Sequence, residues 1–273
     1  MEKFRLFLRV RPDDEFVWRT VVLIYEEQGR LAEALAELEA LLERHPDSLE
    51  SRLLMSRVLV RLERQDDAQK ILLEFQELAP EDARGFYLAG SYLARQEKYH
   101  EAVAEYKRAI ELAPESERYH FDLGVAYYEL KDYENVAKAM METLELDPDN
   151  ANANNLLGYM WAEQGINLDE SIALIERALE LEPDNGAFID SLGWAYYKKG
   201  WLERALKQLE LAASSIPDDP VILDHLGDVY FDLERFDEAE KAWEQSLEND
   251  PGSIEVKEKL NRLKVLLQEA QKK

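Results

Sequence analysis

The sequence predicts an all-α solenoid of antiparallel helix pairs, and three regularities predict it: prolines spaced 34 residues apart, two apolar blocks at helical spacing inside each period, and small residues at fixed places in both blocks. The prolines stand at Pro12, Pro46, Pro80, Pro114, Pro148, Pro183, Pro217 and Pro251, with every interval 34 residues except one of 35. Pro220 alone lies off this grid, where a first helical turn tolerates a missing N–H. Two residues after each grid proline comes Asp14, Ser48, Asp82, Ser116, Asn150, Asn185, Asp219 or Ser253. Each of these side chains can accept from the free N–H groups of a helix start, so each proline precedes a new helix.

Inside a period the apolar residues form two blocks separated by a short polar turn, as in Phe86, Ala89, Gly90 and Leu93 followed by Ala102, Tyr106 and Ala109. The unit is therefore a helical hairpin. Small residues recur in the first helix at Ser56, Gly90, Gly124, Gly158, Gly193 and Gly227, and in the second at Ala34, Ala68, Ala102, Ala205 and Ala239. They belong where two backbones cross closely, because a larger side chain there would overfill the contact.

In order, residues 1–14 read as the second helix of a truncated repeat, with Phe4 and Phe7 in core register. Full repeats follow at 15–48, 49–82, 83–116, 117–150, 151–185, 186–219 and 220–253, and 254–273 is a capping helix. In that last helix Ile254, Leu260, Leu263 and Leu267 are expected to face the core, with Lys257, Lys259, Arg262 and Lys264 in water. The run Leu223, Leu226, Gly227, Tyr230, Ala239, Trp243, Ser246 and Pro251, and the run Ile189, Leu192, Gly193, Tyr196, Ala205, Leu209, Ala212 and Pro217, resemble the 34-residue pattern of the tetratricopeptide repeat family. That resemblance spans almost the whole chain and implies a right-handed superhelical solenoid. Departures are Val22 at a small-residue site, Val136 and Ser171 in place of the second-helix alanine, and the extra residue around Gly165, Ile166 and Asn167.

Composition narrows the function. The 273 residues carry 33 Lys or Arg against 58 Asp or Glu, a net charge of -25, which disfavours sequence-independent binding to nucleic acid because no cationic surplus is available to release counterions. With no Cys there is no disulfide, thiolate nucleophile or Cys-ligated zinc, and the compartment stays open. No apolar run is long enough for a membrane span, and MEKFRLFLRVRP is too charged for a secretory core, so direct membrane insertion is not expected. The truncated first repeat points to a fragment of a longer protein, whose preceding part would carry any signal or lipid anchor. His45, His100, His120 and His225 are scattered over different repeat positions, and no zinc-protease pair, phosphate loop or nucleophile elbow occurs. No catalytic residue, cofactor or metal is assigned.

The remaining candidate is the first-helix face turned away from the partner helix, which in the family lines a concave groove for peptides. The positions carried over are Arg57, Arg84, Arg118, Asn155, Tyr159, Asp190, Trp194, Tyr197, Asp224 and Asp228, with Arg61, Arg95 and Asp232 beside them. Trp194 is expected to be an exposed aromatic anchor. The face changes sign along the chain: residues 1–116 carry 17 basic against 24 acidic residues, and 117–273 carry 16 against 34. The early groove is thus expected to take an acidic stretch of a partner and the later groove a basic or amide-rich one. The Lys-and-Asn clamp that family members use for chaperone tails is absent. The expectation is a non-enzymatic scaffold or adaptor for a protein or peptide. Its last repeats resemble those of bacterial members, including envelope lipoproteins that serve as adaptors for processing proteases. A substrate-recruiting arm of a larger enzyme such as a glycosyltransferase is the alternative. Self-association through the solenoid ends, where Phe4, Leu6, Phe7 and Leu8 lie, is a third expectation.

Overall fold

A computed structural model describes residues 15–270, and among them every regular element is an α-helix. The first helices of the seven pairs are α1 (Glu15–Glu27), α3 (Leu49–Arg61), α5 (Ala83–Arg95), α7 (Glu117–Glu129), α9 (Ala151–Gln164), α11 (Gly186–Lys198) and α13 (Pro220–Asp232). The second helices are α2 (Leu31–Arg44), α4 (Gln65–Leu78), α6 (Tyr99–Leu112), α8 (Tyr133–Leu146), α10 (Leu168–Leu181), α12 (Leu202–Ser215) and α14 (Phe236–Asn249), and α15 (Ile254–Ala270) follows. One pair falls in each expected repeat. The helices group into two compact units that divide inside α8, at Ala139 and Met140. The reading of Phe4, Leu6, Phe7 and Leu8 as a half-repeat, and the cap assigned to Asp14, lie outside the described residues.

The helix starts follow the cap residues. Ser48, Asp82, Asn150, Asn185 and Asp219 each accept from backbone N–H groups of the turn they precede, and Ser253 accepts from Val256 N at 3.4 Å. Pro220 takes the first helical position. Ser116 departs from the expectation: its hydroxyl makes no cap bond, and only its backbone carbonyl accepts, from Tyr119 and His120. Between the helices of a pair the chain passes through a left-handed residue, Gly29 and Gly200 in two pairs but Glu63, Glu97, Lys131 and Glu234 in four others. In the longer turn of the fifth pair both Gly165 and Asn167 take this conformation, which absorbs the extra residue.

Close backbone approach is what the small residues allow. A Cβ on Gly158 would lie 2.8 Å from the Ser171 carbonyl oxygen, and one on Gly193 2.7 Å from Leu209 Cγ. Ser171, standing where other repeats have alanine, turns its hydroxyl into the crossing and donates to Gly158 O at 2.6 Å. Val22 and Val136 are fully buried at their sites. In the first unit Val21, Tyr25, Leu38, Leu59 and Leu72 share one core; in the second, Ile175, Leu192, Ala195, Leu209 and Val229 share another.

Two details of α15 correct the sequence reading. Ile254 is 71% exposed, and Val256 takes the inward place with Leu260 and Leu263, because Ile254 lies two residues, and so roughly half a turn, round the helix from Val256. Lys259 is not a water-facing residue: its ammonium is bound by carboxylates of α13.

One of the tight contacts is that of α13 and α14, where a Cβ on Gly227 would fall 2.4 Å from Trp243 Cδ1. Alanine gains about 1 kcal/mol over glycine in a helix, but overpacking against a buried indole costs about 1–3 kcal/mol. Gly227→Ala is therefore expected to lower the urea midpoint, whereas an exposed substitution such as Lys241→Ala leaves it in place.

Candidate functional site

Residues four apart on a helix share a face, and repetition stacks such faces from pair to pair. In the second unit Asn155, Asp190 and Asp224 occupy one position of α9, α11 and α13. Tyr159, Trp194 and Asp228 occupy the next turn, and Glu163, Lys198 and Asp232 the turn after. Side chains on this face bind one another across repeats with two recurring separations. Pairs 35 residues apart are Tyr87 with Asp122, Asp190 with His225, Tyr197 with Asp232, and Asp224 with Lys259. Pairs 31 apart are Glu26 with Arg57, Glu163 with Trp194, and Asp228 with Lys259. The two separations differ by one helical turn, so in these pairs a polar side chain reaches either the facing position on the next helix of the stack or the position one turn earlier.

Trp194 stands at the centre of this face and corrects an expectation. It is 7% exposed, not an open anchor. Its ring stacks on His225 at 4.0 Å and on Tyr197 at 4.9 Å, and its indole N–H donates to Glu163 at 2.6 Å. Lys198 Nζ lies 4.8 Å from the ring centroid. Asp190 is likewise buried and accepts from His225 Nδ1 at 2.9 Å. The aromatic that sequence reading assigned to a ligand is filled from within the chain, because neighbouring first helices come close enough to cover it.

Asp224 and Asp228 converge on Lys259, at 2.8 and 2.9 Å. Burial pushes the Asp228 carboxyl up to about 6, against the opposing pull of Lys259. Burial lowers the Lys259 ammonium, but the two aspartates outweigh it and hold it above its ordinary value. Beside them Tyr197, Asp228, Phe231, Asp232, Trp243, Lys259 and Arg262 line a cavity of about 260 Å³. Asn155 and Tyr159 are half-buried, and Asn155 Oδ1 is buried with no hydrogen-bond partner.

In the first unit the arginines divide. Arg57 and Arg61 are held by Glu26, which is buried, and Arg84 is held by Glu50 and Asp82. Arg95 and Arg118 have no ion-pair partner among the described residues. Both line a cavity of about 410 Å³ with Tyr87, Tyr99, Tyr106 and Asp122. Arg118 lies 5.1 Å from the centroid of the Tyr87 ring. Tyr87 donates to Asp122 at 2.7 Å, and burial raises the carboxyl of Asp122. Burial also raises Tyr106, to about 12, so these phenols remain neutral donors near neutral pH.

Glu26, Glu163, His225 and Lys259 complete these pairs; sequence reading passed over the two glutamates, placed His225 among scattered histidines and put Lys259 in water. Their signal was present as complementary residue types 31 or 35 positions apart, but it emerges only once helix register is known. Among the described residues no group of three or more His, Asp or Glu is placed to hold a metal ion, and no helix is long and apolar enough to cross a membrane.

Removing the indole of Trp194 leaves a cavity and an unpaired Glu163, so Trp194→Ala is expected to cost about 3–5 kcal/mol in urea unfolding. The raised Asp228 carboxyl keeps its proton in the folded state over a range where the unfolded chain, at its ordinary 3.8, has released it. Its contribution to stability therefore falls as pH rises from about 4 to about 6. The stability of wild type relative to Asp228→Asn is expected to drop by about 1–3 kcal/mol across that window, read from urea midpoints at each pH.

Residues 19–171, more than half of the chain, match the family described as the N-terminal TPR repeats region of Psidin. Residues 167–220 and 220–253 each match a tetratricopeptide repeat. The TPR repeat-containing protein PA4667 of Pseudomonas aeruginosa is 44% identical over 63 residues, which is 22% of this chain and 11% of that protein. The chain thus matches a small part of this relative's length. The Cut9–Hcn1 hetero-tetramer of the APC/C superposes with a TM-score of 0.70 at 18% identity, over 95% of this chain and 51% of that one. YrrB, described as a TPR protein with an unusual peptide-binding site, superposes with a TM-score of 0.60 at 22% identity, over 68% of this chain and 95% of its own. At these identities the structural likeness is one of fold. With matches running from residue 19 to residue 253 and a helix pair in every 34- or 35-residue period, the chain belongs to the tetratricopeptide repeat family.

Proposed function

We propose that this chain is a non-enzymatic scaffold that holds a peptide or protein segment against its first-helix face, and that in the first unit the segment is acidic. One observation carries this reading: Arg95 and Arg118 flank an aromatic-walled cavity with no carboxylate paired to either guanidinium among the described residues. Every other arginine assigned to that face is already neutralised from within the chain. An unpaired guanidinium beside tyrosine rings offers bidentate donors for a carboxylate and a flat surface for packing. Two carboxylates also line the cavity: Asp122, which is engaged by the Tyr87 hydroxyl, and Glu129. The fold relatives support a binding role by analogy, since one is described by its peptide-binding site and another sits within a hetero-tetramer. The later groove carries less of the function than its acidity suggests, because Lys259 and His225 already occupy Asp224, Asp228 and Asp190.

The test is fluorescence anisotropy of a labelled glutamate-rich peptide and of its lysine-rich counterpart. The acidic peptide is expected to bind the wild type and to lose at least about tenfold in affinity with Arg95→Glu plus Arg118→Glu, equal to about 1.4 kcal/mol. Circular dichroism should be unchanged, since both side chains are exposed. Equal binding of acidic and charge-scrambled peptides would remove this assignment.

A further inference from the structure

The outer face of the second unit breaks a pattern that neighbouring repeats keep. At the eleventh residue of the first helix stand Tyr127, Trp161, Tyr196 and Tyr230, large rings that lie toward the second helices. Twenty residues before each, one repeat earlier, stand Lys107, Met141, Glu176 and Glu210. In three of the four cases that residue brings a charged group to the ring or to its hydroxyl. Lys107 Nζ lies 5.5 Å from the Tyr127 centroid. The Tyr196 hydroxyl donates to Glu176 at 3.2 Å, with Arg204 over the ring, and the Tyr230 hydroxyl donates to Glu210 at 2.9 Å, with Arg235 over the ring. Trp161 has Met141 instead. Its side chain is half-buried with no hydrogen-bond, cation or ring partner among the described residues, and Met141 is 45% exposed.

The two residues line an open groove of about 610 Å³ between α8, α9 and α10, larger than the cavities described above. Leu144, Leu157 and Leu174 continue the apolar surface. The charges around it do not balance. Arg177 is taken by Asp149 and Glu180, while Glu145 and Glu170 on the rim have no cationic partner among the described residues. The groove is therefore apolar within and anionic at its edge.

We propose that this groove docks an amphipathic helix of another protein, with leucine-like side chains at helical spacing on one face and Lys or Arg on its flanks. An apolar helix face would cover Met141 and Trp161, supplying the contact that charged side chains provide in the other repeats, and its basic flanks would meet Glu145 and Glu170. This surface is separate from the first-helix cavity at Arg95 and Arg118.

The probe is a labelled model helix with leucine on one face and lysine on the other, titrated against the full chain by fluorescence anisotropy. Two variants separate docking from general attraction to a chain of net charge -25. Met141→Glu copies Glu176 and Glu210, and Met141→Lys copies Lys107; at an exposed position neither should disturb folding. Docking predicts that both weaken binding at least about tenfold, although one adds a negative and the other a positive charge. Unchanged binding to Met141→Glu, loss only in Met141→Lys, or no binding to the wild type would each overturn the proposal. The Arg95→Glu plus Arg118→Glu variant is expected to bind this probe as the wild type does, and loss there would move the site to the first-helix face. A wild-type dimer in sedimentation velocity that Met141→Glu dissolves would assign the groove to a second copy and overturn the choice of a foreign helix.

Discussion

The close crossing of the two helices within each pair governs the rest of the structure. At Gly90, Gly158, Gly193 and Gly227 an added Cβ would lie within 2.4 to 2.7 Å of the partner helix. Packing this close leaves little freedom in the angle and separation of a pair. Repeating the constraint brings successive first helices into a constant relation within each unit. That constancy is visible in the polar pairs, which recur at separations of 31 and 35 residues regardless of whether the partners are Arg and Glu, Trp and Glu, or Tyr and Asp.

Those pairs change how the charge of the chain should be understood. A net charge of -25 suggests a face crowded with free carboxylates. On the first-helix face of the second unit, however, Asp190, Asp224 and Asp228 are bound by His225 and Lys259. Burial makes such pairing necessary, since an isolated buried carboxylate is costly. The positions that stay open are then set by what the chain leaves unpaired. Among the described residues these include the guanidiniums of Arg95 and Arg118 in the first unit, and Trp161, Met141, Glu145 and Glu170 on the outer face of the second.

Sequence reading located the helices, their pairing and the small-residue crossings, because each depends on local spacing and residue size. It was less successful for the site. Trp194 was the obvious anchor by position and chemistry, yet it is stacked between His225 and Tyr197. Lys259 sat in a run of solvent-facing lysines, yet it alone reaches two aspartates. The half-repeat at Phe4 and Phe7 lies outside the described residues. Trp161 drew no attention, because its peculiarity lies in a residue 20 positions earlier.

By itself the sequence determined the period, the helix starts, the crossing sites and the family, since these follow from proline, cap residues and apolar spacing along one segment of chain. Only the tertiary structure decided which polar and aromatic side chains bind each other and which stay without a partner among the described residues. That outcome depends on distances between neighbouring helices, where a shift of one turn exchanges one partner for another.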